Sequence, residues 1–471
     1  MPSQVKSGSL DGANAKTWQK KLVDEARGNA TPLLVASQFG HLAVAELLLK
    51  GGAAVDRAVK DGRTPLHEAC EHGHATVAEL LLKGGAAVDR VKQTGPARVT
   101  PLWTACFNGH AAVAELLLEA GADVHGAMRH GRTPLYAACE KGHAAVAELL
   151  LARGATVDRA AATGDTPLWT ACFHGHAAVV KVLLANGAAV DRADKFGVTP
   201  LYVACQHGHA AMAELLLARD AEVDQALPSG RTPLLIACYN GHAAVTELLL
   251  VRGATVDRAH QNGSTPLYVA CHFGHAAVTE LLLARGAEVD RANKTGATPL
   301  YVACYNGHAA VAELLLAGGA EVDRADEEGW TPLYVACYNG HAAVAELLLA
   351  GGAEVDRADE EGWTPLYVAC QQGHTSVVRL LLRRGADCGQ DMAPLACSEG
   401  HAALADMLTH VEAVGWSCHL SEPRYALVRL RELAVLGRAR YAQREGAPLQ
   451  PLFLDLPNEL FRIVVRFYWA G

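Results

Sequence analysis

The sequence predicts a mainly α-helical solenoid, built from small helix-turn-helix units with projecting hairpins. Three observations carry this. Gly-His recurs twelve times, from 40–41 to 400–401, at a step of 33 residues that is broken only by a step of 36 after Gly73 and one of 27 after Gly373. Thr-Pro-Leu precedes almost every Gly-His, and Leu-Leu-Leu follows it. Residues 304–336 are repeated without change at 337–369. A period of this size marks an array in which no unit buries a core alone and each must stack on its neighbours.

The elements follow in chain order. Residues 1–27 form an N-terminal capping segment, in which Trp18, Leu22 and Val23 give 14–27 the character of a helix. The array spans 28–410. Within one unit Thr331 is a good N-cap and Pro332 fits the first helical position, where no N–H is needed. Gly340 ends this short helix by accepting positive φ. Ala343 to Leu349 give a second helix with one apolar face, ended by Gly351-Gly352. Asp359-Glu360-Glu361-Gly362 is a turn between two extended arms. The last unit has lost six residues of its hairpin, as a terminal repeat can. From about 411 to 471 the period disappears. Pro423 to Glu445 reads as one helix with Leu427, Leu430, Leu433 and Leu436 at helical spacing, and a second amphipathic helix starts at Pro457.

Composition narrows the function. Apolar residues make up 51% and charged residues 19%, which is globular. With 41 Lys+Arg against 50 Asp+Glu the net charge is −9, unlike a nucleic-acid binder, which needs a basic face. No apolar run approaches the ~20 residues of a membrane span. The start lacks an apolar signal core, so the expectation is cytosol or nucleus. Ten of the 13 cysteines, Cys70 to Cys370, recur at one place in successive units. Stacking at about 8–10 Å keeps neighbours beyond disulfide reach, so they read as reduced core residues.

The chemistry-bearing residues point away from catalysis. Cys-x-x-Gly-His occurs eleven times, from Cys70/His74 to Cys397/His401, but a thiol–imidazole site needs one copy and the glycine breaks the helix between the two groups. Cys388, Cys397, His401, His410, Cys418 and His419 gather near the end of the array without the spacing of a zinc site. No phosphate-binding glycine loop, zinc-protease helix or nucleophile elbow is present, so no cofactor, metal or catalytic residue is expected. The Asp-Arg pairs, at 56–57, 89–90, 158–159, 191–192, 257–258, 290–291, 323–324 and 356–357, read as a ladder of alternating charges linking exposed hairpins.

The 33-residue period, with Thr-Pro-Leu, Gly-His and Leu-Leu-Leu before Gly-Ala, resembles the ankyrin repeat. Two departures stand out. The usual His after Thr-Pro-Leu is kept only at His67, and is Trp at 103 and 169, Leu at 235, and Tyr at 136, 202, 268, 301, 334 and 367. The usual Val-Asn of the hairpin is Val-Asp, as at Val322-Asp323. The resemblance implies a protein partner held in a concave groove lined by the hairpin tip, the residue before Thr and the two residues before Gly-His. Carried over residue by residue, the groove takes Lys60, Arg63, Arg129, Arg132, Lys141, Lys195, Phe196, Arg231, Tyr239 and Tyr305. Its later part takes Glu327, Glu328, Trp330, Tyr338, Glu360, Glu361 and Trp363. Early tips are basic and late tips acidic, and Trp and Tyr favour protein interfaces.

The C-terminal segment carries two further resemblances. Leu456-Pro457-Asn458-Glu459-Leu460, followed by Val464 and Phe467, is similar to the first helix of an F-box. The whole segment, with Leu427 and Leu430 in its first helix, resembles a SOCS box, although Arg431 stands where that box has Cys and Asn458-Glu459 where it has an apolar residue and Pro. Either resemblance implies docking to the adaptor of a cullin-type ubiquitin ligase through 423–471. The alternative from the residues themselves is a cap over the last repeat.

Overall fold

A computed structural model describes residues 30–94, 97–128, 130–389 and 392–414. Arg129, the capping segment 1–27, and Leu427, Leu430, Leu456, Pro457, Glu459, Leu460, Val464 and Phe467 lie outside the described residues. The chain forms two compact units, Met1–Pro365 and Leu366–Gly471.

In the first unit every repeat supplies two short antiparallel helices. The first runs as in Pro332–Tyr338 and the second as in Ala342–Ala350. The predicted start is present throughout. Thr331 is extended at φ −81° and ψ 163°, its Oγ1 accepts from the Tyr334 N–H, and Pro332 follows at the first helical position. Thr64, Thr100, Thr133 and Thr298 do the same in their repeats. First helices pack on first helices and second on second, so the core is a column continued from unit to unit. Leu66, Leu102, Leu135, Leu168, Leu201 and Leu234, each from Thr-Pro-Leu, are fully buried in it. Burying one such side chain stabilises by about 1.5–3 kcal/mol. In the second helix Val344, Ala345 and Leu348 form the buried face. Leu347 and Leu349 are half-buried, so the apolar Leu-Leu-Leu sinks only its middle member.

Gly-His turns out to be one half of a joint between repeats. Gly241 sits at φ +74°. A Cβ there would lie 2.6 Å from Nδ1 of His275, one repeat further on. The same imidazole places Nε2 3.1 Å from the Tyr239 carbonyl. Equivalent bonds join His74 to Gln38, His110 to Glu71, His143 to Phe107 and His341 to Tyr305. The glycine therefore reverses the chain and leaves room for the next repeat's ring. One repeat breaks a companion rule: Asp220 takes φ +61° where its neighbours place a glycine after the second helix.

The Val-Asp ladder is real but differs in kind from the expectation. Its partner is backbone rather than Arg. The Asp56 carboxylate accepts from the Ala87 N–H at 3.0 Å, Asp191 from Glu222, Asp257 from Glu288 and Asp290 from Glu321. Burial pushes the Asp191, Asp257 and Asp290 carboxyls up, and the donated N–H opposes that shift. In the third repeat His125 occupies the carboxylate's place.

The hairpins are also shorter than expected. Most fingertips close with two backbone bonds, such as Asp326 N to the Trp330 carbonyl and Gly329 N to the Asp326 carbonyl, without a strand ladder. The three extra residues behind the 36-residue step make the exception. There β1 (Lys92–Thr94) pairs antiparallel with β2 (Ala97–Val99), with Lys92 opposite Val99.

The second unit continues the pattern with helices Thr375–Arg383, Met392–Ser398 and Ala402–Val414. His401 Nε2 lies 3.0 Å from the Gln371 carbonyl. No helix among the described residues is long and apolar enough to cross a membrane.

Candidate functional site: fingertips and helix ends

Each fingertip lies against the open side of the first helix that follows it. Trp330, in one tip, stacks on Tyr334 and Tyr338 of the next helix, with ring centroids 5.2 and 6.1 Å apart. Arg132 lies over the Tyr136 ring at 5.1 Å and brings Nη1 within 3.5 Å of Glu140. Tips and helix ends thus make one continuous face, and every described groove residue expected from the sequence is exposed or half-buried on it. Phe196 is 74% exposed, the most open large apolar side chain of the described residues, and Tyr239 and Tyr305 are exposed as well.

Several of the expected cations already have partners. Arg63 donates to Asp61 at 2.7 Å and to Glu68 at 2.9 Å, and Glu68 is 1% exposed. Arg63 therefore serves its own repeat, by compensating a buried carboxylate whose pKa burial raises. Lys141 Nζ sits 4.6 Å from the Phe107 ring centroid. Lys60 and Lys195 are exposed.

The Tyr that replaces the usual His has its own use. Tyr334 Oη donates to Asp359 of the next fingertip at 2.9 Å. Tyr268 Oη accepts from Asn293 at 3.3 Å. Tyr136 Oη donates to Asp165, and burial first, then this carboxylate, pushes the phenol up to about 12. The retained His67 points instead at the long finger, with Nε2 3.2 Å from the Val99 carbonyl. These three tyrosines thus each bond to the fingertip that follows, whereas Trp103 and Trp169 stack on Phe107 and Phe173 of their own helices.

An aromatic column runs through the middle of the face, and of its members only Tyr239 is named among the groove residues expected from the sequence. Phe173 meets His207 at 4.6 Å and Tyr239 meets Phe273 at 4.4 Å. These residues occupy the two positions before Gly-His, so reading those positions through every repeat finds them. Burial lowers the His174, His207 and His272 pKa values.

The repeated Cys and His form no dyad. Cys70, Cys106, Cys205 and Cys304 are fully buried and unpaired by disulfides. Burial pushes the Cys238 and Cys271 thiols up to about 12. The imidazoles are bonded to carbonyls instead. No group of three His, Cys, Asp or Glu among the described residues converges as a metal site.

A stacked array that offers an irregular face on a regular frame defines a repeat scaffold. The family model for ankyrin repeats matches the chain in seven stretches, from 10–92 to 351–414, and the chain belongs to that family. As an ankyrin-repeat protein it is an interaction scaffold for protein partners. Among solved structures, the crystal structure of the human ASB11 ankyrin repeat domain is 32% identical, covering 48% of this chain and 99% of that one, with a TM-score of 0.44. No curated protein matches the sequence.

Proposed function

We propose that the chain holds a protein partner across the face made by its fingertips and first-helix ends, and acts by binding rather than by catalysis. The observation that supports this most is the exposed aromatic series on an otherwise repeated frame: Phe196, Tyr239, Phe273 and Tyr305 stand open where the structural positions are closed. Buried, unpaired thiols fit a reducing compartment, cytosol or nucleus. The test is affinity capture with mass spectrometry on the full chain and a Phe196→Ser/Tyr239→Ser/Tyr305→Ser variant. Val251→Ser, on a second helix, is the control. Partners lost only from the triple variant, with unchanged far-UV circular dichroism, are expected. Identical partner sets for all three proteins would sink the reading.

A second reading adds a docking role for 423–471, favoured by Leu456-Pro457-Asn458-Glu459-Leu460. Cullin-ligase subunits captured by the full chain, but not by a chain ending at Thr409, are its signature.

A further inference from the structure

We propose that the two adjacent acidic fingertips, residues 326–330 and 359–363, with the aromatic shelf beside them, bind an extended basic peptide segment carrying Arg or Lys at every third residue. This rests on the reading that the face holds a protein partner, and it names the chemistry of what is held.

The two ends of the face differ in how their charges are used. In the early repeats Arg63 is paired with Asp61 and Glu68, Lys92 with Glu71, and Arg132 with Glu140. In the late tips, Glu327, Glu328, Glu360 and Glu361 are exposed. No ion pair among the described residues joins any of the four to a cation. The aspartates that begin these tips are already engaged. Asp326 Oδ1 accepts from the Trp330 N–H at 2.9 Å and Asp359 Oδ1 from the Trp363 N–H at 2.8 Å, so the aspartates hold the backbone of these turns.

Aromatic rings supply the second component. Trp330 lies in a stack with Tyr334 and Tyr338. Trp363 is 38% exposed and donates from Nε1 to Glu361 Oε2 at 2.8 Å, which sets a carboxylate beside an indole. A guanidinium can stack on such a ring while it pairs with the carboxylate, which a solvated acidic surface alone does not offer.

The tips also adjoin one another. Glu360 N donates to the Glu328 carbonyl at 3.5 Å, and a Cβ at Gly329 would lie 3.2 Å from Glu360 Cγ. Because 304–336 and 337–369 are identical, the same Asp-Glu-Glu-Gly-Trp tip appears twice, one repeat apart. Stacked helices are separated by about 8–10 Å. An extended chain in the polyproline II conformation has three residues per turn and advances about 3.1 Å per residue, so its every third side chain returns to the same face about 9 Å further on and meets the next tip.

The test is fluorescence anisotropy on the full chain with three labelled peptides: Arg at every third position with Ser and Gly between, the same composition with the Arg contiguous, and a Glu version of the first. The spaced Arg peptide is expected to bind most tightly, to weaken with salt, and to lose about tenfold or more in affinity to the Glu327→Gln/Glu328→Gln/Glu360→Gln/Glu361→Gln variant. Trp363→Ala is expected to weaken it as well. All five positions are half-buried at most, and circular dichroism reports that the variants fold. Equal binding by the quadruple variant, no binding of the spaced peptide, or equal affinity for spaced and contiguous Arg would each overturn the proposal. If the peptide fails while the Phe196/Tyr239/Tyr305 variant still loses its captured partners, the basic-segment inference falls and the general reading stands.

Discussion

Asp220 and His67 show what a single side chain can do against the frame. At φ +61° Asp220 holds a conformation that glycine takes at no steric cost. Asp220→Gly is therefore expected to raise stability by about 1 kcal/mol, read from urea melts; an unchanged or lowered midpoint would mean that the aspartate is compensated. His67 works through protons. Burial, followed by the charges of Lys92 and Arg90, takes its pKa from 6.5 to about 4, against the bond to the Val99 carbonyl. The folded state thus binds fewer protons than the unfolded state between these values, and stability falls as pH drops through that window. The loss is on the order of 3 kcal/mol once pH is below 4. Thermal melts from pH 7 to pH 4 should show a steeper decline for wild type than for His67→Gln, and parallel declines would refute the assignment.

At the scale of the helix pair, the joint between repeats is the controlling element. Gly241→Ala must both hold a left-handed alanine and push against the His275 ring. The first cost is about 1–2 kcal/mol and stays wherever the ring is. The second disappears when the ring is removed. A double-mutant cycle with His275→Ala should therefore give a smaller penalty for Gly241→Ala in the His275→Ala background, with a coupling of about 0.5–3 kcal/mol. Strict additivity would show that the two residues do not share a joint.

These joints also explain what could be read from the sequence. Thr caps, Pro at the first helical position, terminating glycines and buried cysteines follow from rules confined to a few neighbouring residues, and repetition makes each of them plain. The partner of His275, or of the Asp290 carboxylate, does not follow. Both ends of such a bond recur in almost every unit, so the sequence carries no mark of whether the bond closes within a repeat or onto the next. Arg63 looked available for the same reason: its buried partner Glu68 is five residues away, on an element whose burial depends on stacking. The groove positions were legible as the ones that vary, whereas their division into paired cations and unpaired carboxylates needed the packed structure.

For the whole molecule, stability is the sum of units and junctions rather than of one core. Removing residues 304–336 leaves a chain in which every junction still joins the same kinds of residue. That deletion is expected to fold with unchanged helicity per residue and a modestly lower denaturation midpoint. Removing 33 residues out of register with the helices should instead give an aggregating or molten chain. Circular dichroism with urea melts separates the two cases, and equal damage from both would contradict a modular array.

His125 gives the array a preferred place to part. Between the third and fourth repeats the carboxylate rung is missing, and exposed contacts from Arg153 to Glu115 and Glu119 stand on the second helices there. In a row of units coupled only to their neighbours, a boundary between ordered and melted segments settles where coupling is weakest. The repeats on either side of His125 should then exchange their amide hydrogens as two blocks, and His125→Asp should merge them into one. Identical exchange profiles for the two proteins would place the boundary elsewhere. The chain would thus unzip from an internal seam as readily as from its ends, and a partner lying across that seam would hold the halves together like a splint.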